Sequence, residues 1–220
     1  PDELPTGLTL EKVSGIADAV TTPLEAIHRA SLSSADVAVF VGVGGVGGFG
    51  VQVAAALGAA VVAIDVDATR LALASQHGAE LAIDASTTDF KQLRQAVRSF
   101  VKETGKPALG LKIFETSGTP QGQTTAYGLL DPGAHLAVVG YTPGKVELRL
   151  SNLMAFDATA QGNWGSAPER YPEALQLVLD GKVVLGPYVE THPLDQAPAV
   201  LRAVAAHEIS RRAILVPSLD

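Results

Sequence analysis

The stretch Val37–Gly50, "VAVFVGVGGVGGFG", limits this chain most. It passes from an apolar, β-branched run straight into six glycines within twelve residues. A glycine inside an element costs about 0.5–1 kcal/mol against alanine. Such a density needs a reason, namely a backbone that must turn tightly or be approached closely. "VAVFVG" is too short for a buried helix and reads as a buried parallel strand. From Gly45 to Leu57 small residues follow at helical spacing. The unit is therefore strand, glycine turn, helix.

Gly42, Gly44 and Gly47 fit G-x-G-x-x-G in that setting. Gly42 permits the tight turn, Gly44 lets a pyrophosphate approach the backbone, and Gly47 lets the helix pack closely on the sheet. The helix N-terminus offers unpaired N–H groups and partial positive charge to phosphates. The plainer alternative is a tight βα turn, with Gly45, Gly48 and Gly50 serving packing alone. Asp65 ends the next strand, "AVVAID", 23 residues after Gly42. A carboxylate there accepts hydrogen bonds from an adenosine ribose and repels a 2′-phosphate, so NAD is expected rather than NADP. Asp67 lies past the strand end and reads as the cap of the helix "ATRLALASQHG". Arg70, one turn further on, either reaches the ribose edge or is a solvated surface residue.

The remaining chain repeats the alternation. "AELAID" is a third strand, and "DFKQLRQAVRSFVKETGK" an amphipathic helix with Phe90, Leu93, Val97 and Val101 on one face. "LKIFE" is a fourth strand, "QGQTTAYGLL" a helix, "AHLAVVG" a fifth strand, and "SNLMAFDATAQGNWG" a helix and sixth strand. The pattern predicts an α/β fold with a doubly wound, six-stranded parallel sheet of the Rossmann type. Beyond Gly165 come a helix stopped by Gly181, a helix capped at Asp195, and a final strand in "RRAILVP". "ETSGT" and "VVGYT" follow the fourth and fifth strands, where ligands of such sheets bind.

Composition narrows the partners. The chain has 220 residues, 23 acidic against 16 basic, and no cysteine. Its negative field disfavours nucleic acid and anionic membranes. Disulfides and a thiolate zinc site built by this chain alone are excluded. No apolar run reaches membrane-spanning length, and no signal-like segment opens the chain. A cytoplasmic protein is expected. The opening "PDELPTGLTLEKVSG" reads like the middle of a longer chain. His28, His77, His135, His192 and His207 show no metal-ligand spacing. Lys91, Arg94, Arg98 and Lys102 form a basic helical stripe, either a solvated face or a docking site for coenzyme A phosphates.

"LEKV" at 10–13, "ADAVTTPLEAI" at 17–27, "GVGGVG" at 42–47 and "VVAIDVDATRLALASQHGAE" at 61–80 together resemble the zinc-type medium-chain alcohol dehydrogenases. "FETSG", "AVVGYT" and "SRRAIL" follow in the same order. The resemblance implies that residues 1–36 lead in from a catalytic domain, 37–165 form the NAD-binding domain, and 166–220 complete the catalytic domain. "GQTTAYGLL", "LSNLMAFDATAQGNWG" and "RRAILVP" further resemble the branch acting on 6-hydroxycyclohex-1-ene-1-carbonyl-CoA in anaerobic aromatic degradation. The substrate implied is a secondary alcohol, on that branch a CoA thioester, with hydride passing to NAD.

The resemblance also implies roles. Gly42, Gly44, Gly45, Val46 and Gly47 would line the pyrophosphate, and Asp65 and Arg70 the adenosine ribose. Thr22 would sit beside the nicotinamide as the catalytic-site residue. Ser117, Val139 and Gly140 would contact the nicotinamide half. Arg212 would reach the pyrophosphate, unless it is a surface arginine beside Arg211. Asp18 stands where many relatives place a zinc-ligating cysteine, and the full-length protein would supply the other ligands; otherwise it is a helix-terminal acid. A homo-oligomer paired through the sixth-strand edge is expected. Two alternatives stay open: a generic zinc-type or zinc-free alcohol dehydrogenase or quinone reductase, and a non-catalytic NAD(H)-sensing module.

Overall fold

The computed structural model describes residues 4–206 and 208–217; His207 lies outside them. Six strands, β1 (Val37–Val41), β2 (Ala60–Asp65), β3 (Leu81–Asp84), β4 (Lys112–Glu115), β5 (His135–Val138) and β6 (Thr159–Gly162), form one sheet in the order β3-β2-β1-β4-β5-β6. Every neighbouring pair is parallel. The expected doubly wound sheet is present. The order reverses between β1 and β4, so a crevice opens where their carboxyl ends diverge.

β1 and β2 are buried at every position, which is why they read as continuous apolar runs rather than alternating ones. Alternate side chains feed two cores. Phe40 stacks on Phe114 at a centroid distance of 4.7 Å, both residues fully buried on one face. Val39 and Val41 join Ile113 and Leu136 on the other. The first face is covered by α1 (Leu10–Ser14), α2 (Thr21–Arg29), α3 (Gly47–Ala56) and α4 (Ala68–Gln76), the second by α5 (Phe90–Thr104), α6 (Pro120–Gly128) and α7 (Ser151–Ala155). Asp67 caps α4, accepting from the amides of Thr69 and Arg70. α5 opens with a reciprocal Asp89–Gln92 capping box and stops at Gly105, whose φ is +67°.

The sequence beyond Gly165 forms α8 (Tyr171–Leu179), β7 (Val189–Pro193), α9 (Ala197–Ala205) and β8 (Arg212–Val216), with β7 and β8 a separate parallel pair. Tyr188 binds this part to the first core. Its ring packs on Phe49 and leaves no room for a Cβ on Gly48. Burial pushes its phenol up to about 12.

Four details depart from the sequence expectations. Phe90 is 43% exposed rather than buried with Leu93, Val97 and Val101; it sits at the first position of α5 and covers Gly128. Asp195 caps nothing, because a 3₁₀ turn at Leu194–Gln196 precedes α9, whose N-cap is Gln196. β7 was not anticipated, since its "VETHP" lacks an apolar run. Neither was α2, whose Pro23 falls in the first turn, where a missing N–H costs little. Among the described residues no helix is long and apolar enough to cross a membrane.

Candidate functional site: a glycine-lined cleft at the strand ends

The glycine turn has the backbone its sequence demands. Gly42 has φ +89°, and a Cβ there would lie 2.5 Å from Ser117 Cα. A Cβ on Gly47 would strike the Gly42 carbonyl and come within 2.5 Å of Thr116 Oγ1. Both glycines are fixed by close approach of backbone to backbone. Gly44 and Gly45 differ. Their nearest non-local neighbours are Arg70 Nη1 at 3.5 Å and Arg212 Cβ at 3.8 Å from an ideal Cβ, so the fold has room for a side chain at either. α3 has no side-chain cap. Its first return bond is Gly48 N–H to the Gly44 carbonyl, and the N–H groups of Gly44, Gly45, Val46 and Gly47 meet no protein acceptor among the described residues. Four adjacent unpaired donors at a helix start form an anion-accepting cradle. Gly48 and Gly50 serve packing, against Tyr188 and Phe40.

Asp65, 7% exposed, borders this turn. Its carboxylate accepts from the amides of Val43 (2.7 Å), Val66 (2.8 Å) and Asp67 (3.0 Å). Those bonds orient the group and leave about one of its four acceptor positions unused. Arg70 lays its guanidinium over Gly44, 3.7 Å from Asp67 through Nε, and that Nε has no hydrogen-bond partner. The guanidinium thus brings a positive charge beside the anion cradle.

The cleft continues across the β1–β4 divergence. Asp18, Thr22, Val46, Ser117, Val139 and Gly140 line one cavity of ≈ 470 Å³, with Thr116, Gly118 and Asn163. Six of the residues singled out in the sequence thus share one wall system. Gly44, Gly45, Asp65 and Arg70 extend along its β2 side. Asp18 has φ +68°, an uncommon conformation for a residue with a side chain. Its Oδ1 accepts from the Thr22 hydroxyl at 2.9 Å and its Oδ2 from Arg212 Nη2 at 2.7 Å. Arg212 therefore engages Asp18 while its stem rests over Gly45. Asn163 donates to the Thr22 carbonyl at 3.3 Å and accepts from Arg29.

Among the described residues no group of three His, Cys, Asp or Glu side chains is arranged to hold a metal. Asp18 is one carboxylate, and zinc sites need three or four protein ligands, so this chain's residues alone do not make one. The basic stripe borders a different groove. Arg94, Arg98 and Lys102 flank Leu111 and Pro132, which precede β4 and β5, at the opposite end of the strands from the cleft. They bring no cation to it.

Sequence reading passed over Glu115. This last residue of β4 is fully buried. Its Oε1 accepts from the Ser117 amide (2.8 Å), the Ser117 hydroxyl (2.6 Å) and the Gly118 amide (3.2 Å). Burial raises its pKa above 4.5, against the opposing pull of these donors. The available signal was an acid ending a strand directly after the apolar pair Ile113 and Phe114. A carboxyl whose folded pKa is raised binds its proton more tightly in the native state. Its burial therefore costs stability as pH climbs above 4.5. Urea melts of Glu115→Gln should show a stability difference in favour of the variant that grows from pH 4 toward pH 7. A difference independent of pH would contradict this.

The fold and cleft define the class: a Rossmann-type, doubly wound domain with an anion-accepting glycine loop. The sequence profile described as zinc-binding dehydrogenase matches residues 45–180, more than half of the chain. The chain belongs to that family. Galactitol 1-phosphate 5-dehydrogenase of Escherichia coli K12 is 26% identical over 224 residues, covering 97% of this chain and 62% of that protein. An alcohol dehydrogenase of Geobacillus stearothermophilus is 26% identical, with coverages of 97% and 60%. The crystal structure of the Escherichia coli galactitol-1-phosphate dehydrogenase superposes with a TM-score of 0.81 at 27% identity, covering 97% of this chain and 62% of that one. The chain thus spans about three fifths of the length of these relatives.

Proposed function

We propose that this chain is the NAD-binding part of an alcohol dehydrogenase that oxidises a secondary alcohol. One observation carries the reading: four unpaired backbone N–H groups at the start of α3 stand beside the buried Asp65 carboxylate. Together they offer a diphosphate cradle and a ribose acceptor, the two polar demands of a dinucleotide. Asp65 keeps about one acceptor position for a ribose hydroxyl and opposes a 2′-phosphate by charge. Arg70 adds positive charge over Gly44, while the Arg212 guanidinium is paired with Asp18 and only its stem rests over Gly45. Thr22, Ser117, Val139 and Gly140 form the wall toward which the far half of the dinucleotide extends. When bound, the nicotinamide supplies the hydride acceptor.

Asp18 would contribute one metal ligand in a full-length protein, alongside ligands from outside this chain. No step is assigned to a metal held by these residues. Residues 1–36 and 166–220 would belong with that further part. The similarity to sugar-alcohol phosphate and simple alcohol dehydrogenases supports a general alcohol or polyol substrate. The narrower CoA thioester reading rests on the quoted sequence resemblance alone.

Replacing Asp65 with Asn tests the reading, since Asn keeps one acceptor oxygen but loses the charge. Calorimetry should show NAD binding weakened on the order of tenfold, about 1.4 kcal/mol, with the gap to NADP narrowed. Unchanged NAD affinity would reject the ribose role.

β6 is an edge strand, and its residues are largely exposed. Leu150, Met154 and Trp164 are exposed near it. Unpaired edges invite pairing, and we read this one as the contact of a homodimer. Light scattering at micromolar concentration should give twice the chain mass; the mass of a single chain would refute it.

A further inference from the structure

The walls of the cleft past Gly42 are three loops, one from the end of each of β1, β4 and β5, locked together by glycine contacts. Gly42 lies against the Ser117 backbone, Gly118 (φ +64°) against the Tyr141 carbonyl, and Gly140 against the Gly118 amide. The Gln123 side chain of α6 donates to the Gly140 carbonyl at 3.5 Å. At the base of the two loops stands Glu115. Its side chain takes all three donors of the Ser117–Gly118 turn on Oε1, and its own carbonyl accepts the amides of Val139 and Gly140, each at 2.9 Å. Its Oε2 has no hydrogen-bond partner and faces Gly140, 2.8 Å from where a Cβ on that residue would stand.

A buried carboxylate with one oxygen unmatched is costly. An apolar residue could fill the same volume, but it could not hold a turn of consecutive N–H donors inward. The held turn presents Thr116, Ser117 and Gly118 to the cavity, opposite Val139, Gly140 and Tyr141. None of these residues lies on the Asp65 side.

Building on the NAD reading above, we propose that the Glu115 side chain is the positioning group for the nicotinamide end of the cleft, holding the Ser117–Gly118 turn of the β4 loop in place against Gly140 without touching the ligand. The prediction is a selective loss. The adenine end rests on Gly44–Gly47, Asp65 and Arg70, which Glu115 does not contact.

The test compares NAD with ADP-ribose, which shares the adenosine and diphosphate but lacks the nicotinamide, by calorimetry on the 220-residue chain. Glu115→Ala should weaken NAD on the order of tenfold or more while ADP-ribose stays within about threefold. Glu115→Gln keeps the acceptor oxygen and should restore NAD binding to within about threefold of the unmodified chain. Where circular dichroism shows that the alanine variant has not folded, Glu115→Asp replaces it, because the shorter side chain withdraws the carboxyl from the turn. Equal losses for both ligands, no loss for either, or failure of Gln to rescue would overturn the proposal. So would an unmodified chain that binds NAD no better than ADP-ribose. An unmodified chain that binds neither would instead reject the dinucleotide reading itself.

Discussion

Gly42→Ala should destabilise this chain severely, whereas Gly44→Ala, two residues away, should leave stability almost unchanged and damage binding alone. At Gly42 a methyl group meets two penalties. The backbone stands at φ +89°, where a side chain costs about 1–3 kcal/mol. The new Cβ would also lie 2.5–2.7 Å from the backbone and Cβ of Ser117, atoms that cannot move without displacing the β4 loop. Overpacking adds about 1–3 kcal/mol. Together they come to about 2–6 kcal/mol, a large fraction of the stability of an ordinary domain. At Gly44 the nearest atom is Arg70 Nη1 at 3.5 Å, the end of a flexible side chain. The added methyl stands over the N–H cradle instead, so dinucleotide affinity should fall on the order of tenfold. Urea melts and calorimetry on the two variants check both halves. Equal stability losses would show that the loop is built for packing throughout.

The second large effect lies beneath the cleft. Phe40 and Phe114 are stacked, fully buried and paired in register across β1 and β4. They sit just inside the strand ends that carry Gly42 and Glu115. Phe40→Ala removes one ring of the stack and the ring atoms nearest to Gly50. The expected loss is about 3–5 kcal/mol, read as a lower urea midpoint at unchanged slope. A loss below about 1 kcal/mol would mean that the core collapses around the gap.

The sheet and the glycine turn were legible because their causes are local. β1 and β2 are apolar on both faces, and Gly42, Gly44 and Gly47 follow a strand at fixed spacing. Asp67 was separable from Asp65 for the same reason, as one lies past the strand and caps α4. What escaped depends on distant partners. Arg212 meets Asp18 across 194 residues of sequence, so the ion pair that occupies both could not be read from either segment. Glu115 resembles any strand-end acid until the β5 loop closes over it. Phe90 fits an apolar helical stripe by spacing, yet as the first residue of α5 it escapes full burial. The basic stripe on α5 was visible, but only the fold shows that it faces the far end of the strands from the cleft.

The N–H cradle and Asp65 are proposed as a site for NAD. Calorimetric titration of the unmodified chain with NAD and, separately, NADP tests it most directly. Saturable binding of one NAD per chain is expected, with weaker NADP binding, because Asp65 repels the added phosphate. Tighter binding of NADP, or no binding of either dinucleotide by the folded chain, would contradict it.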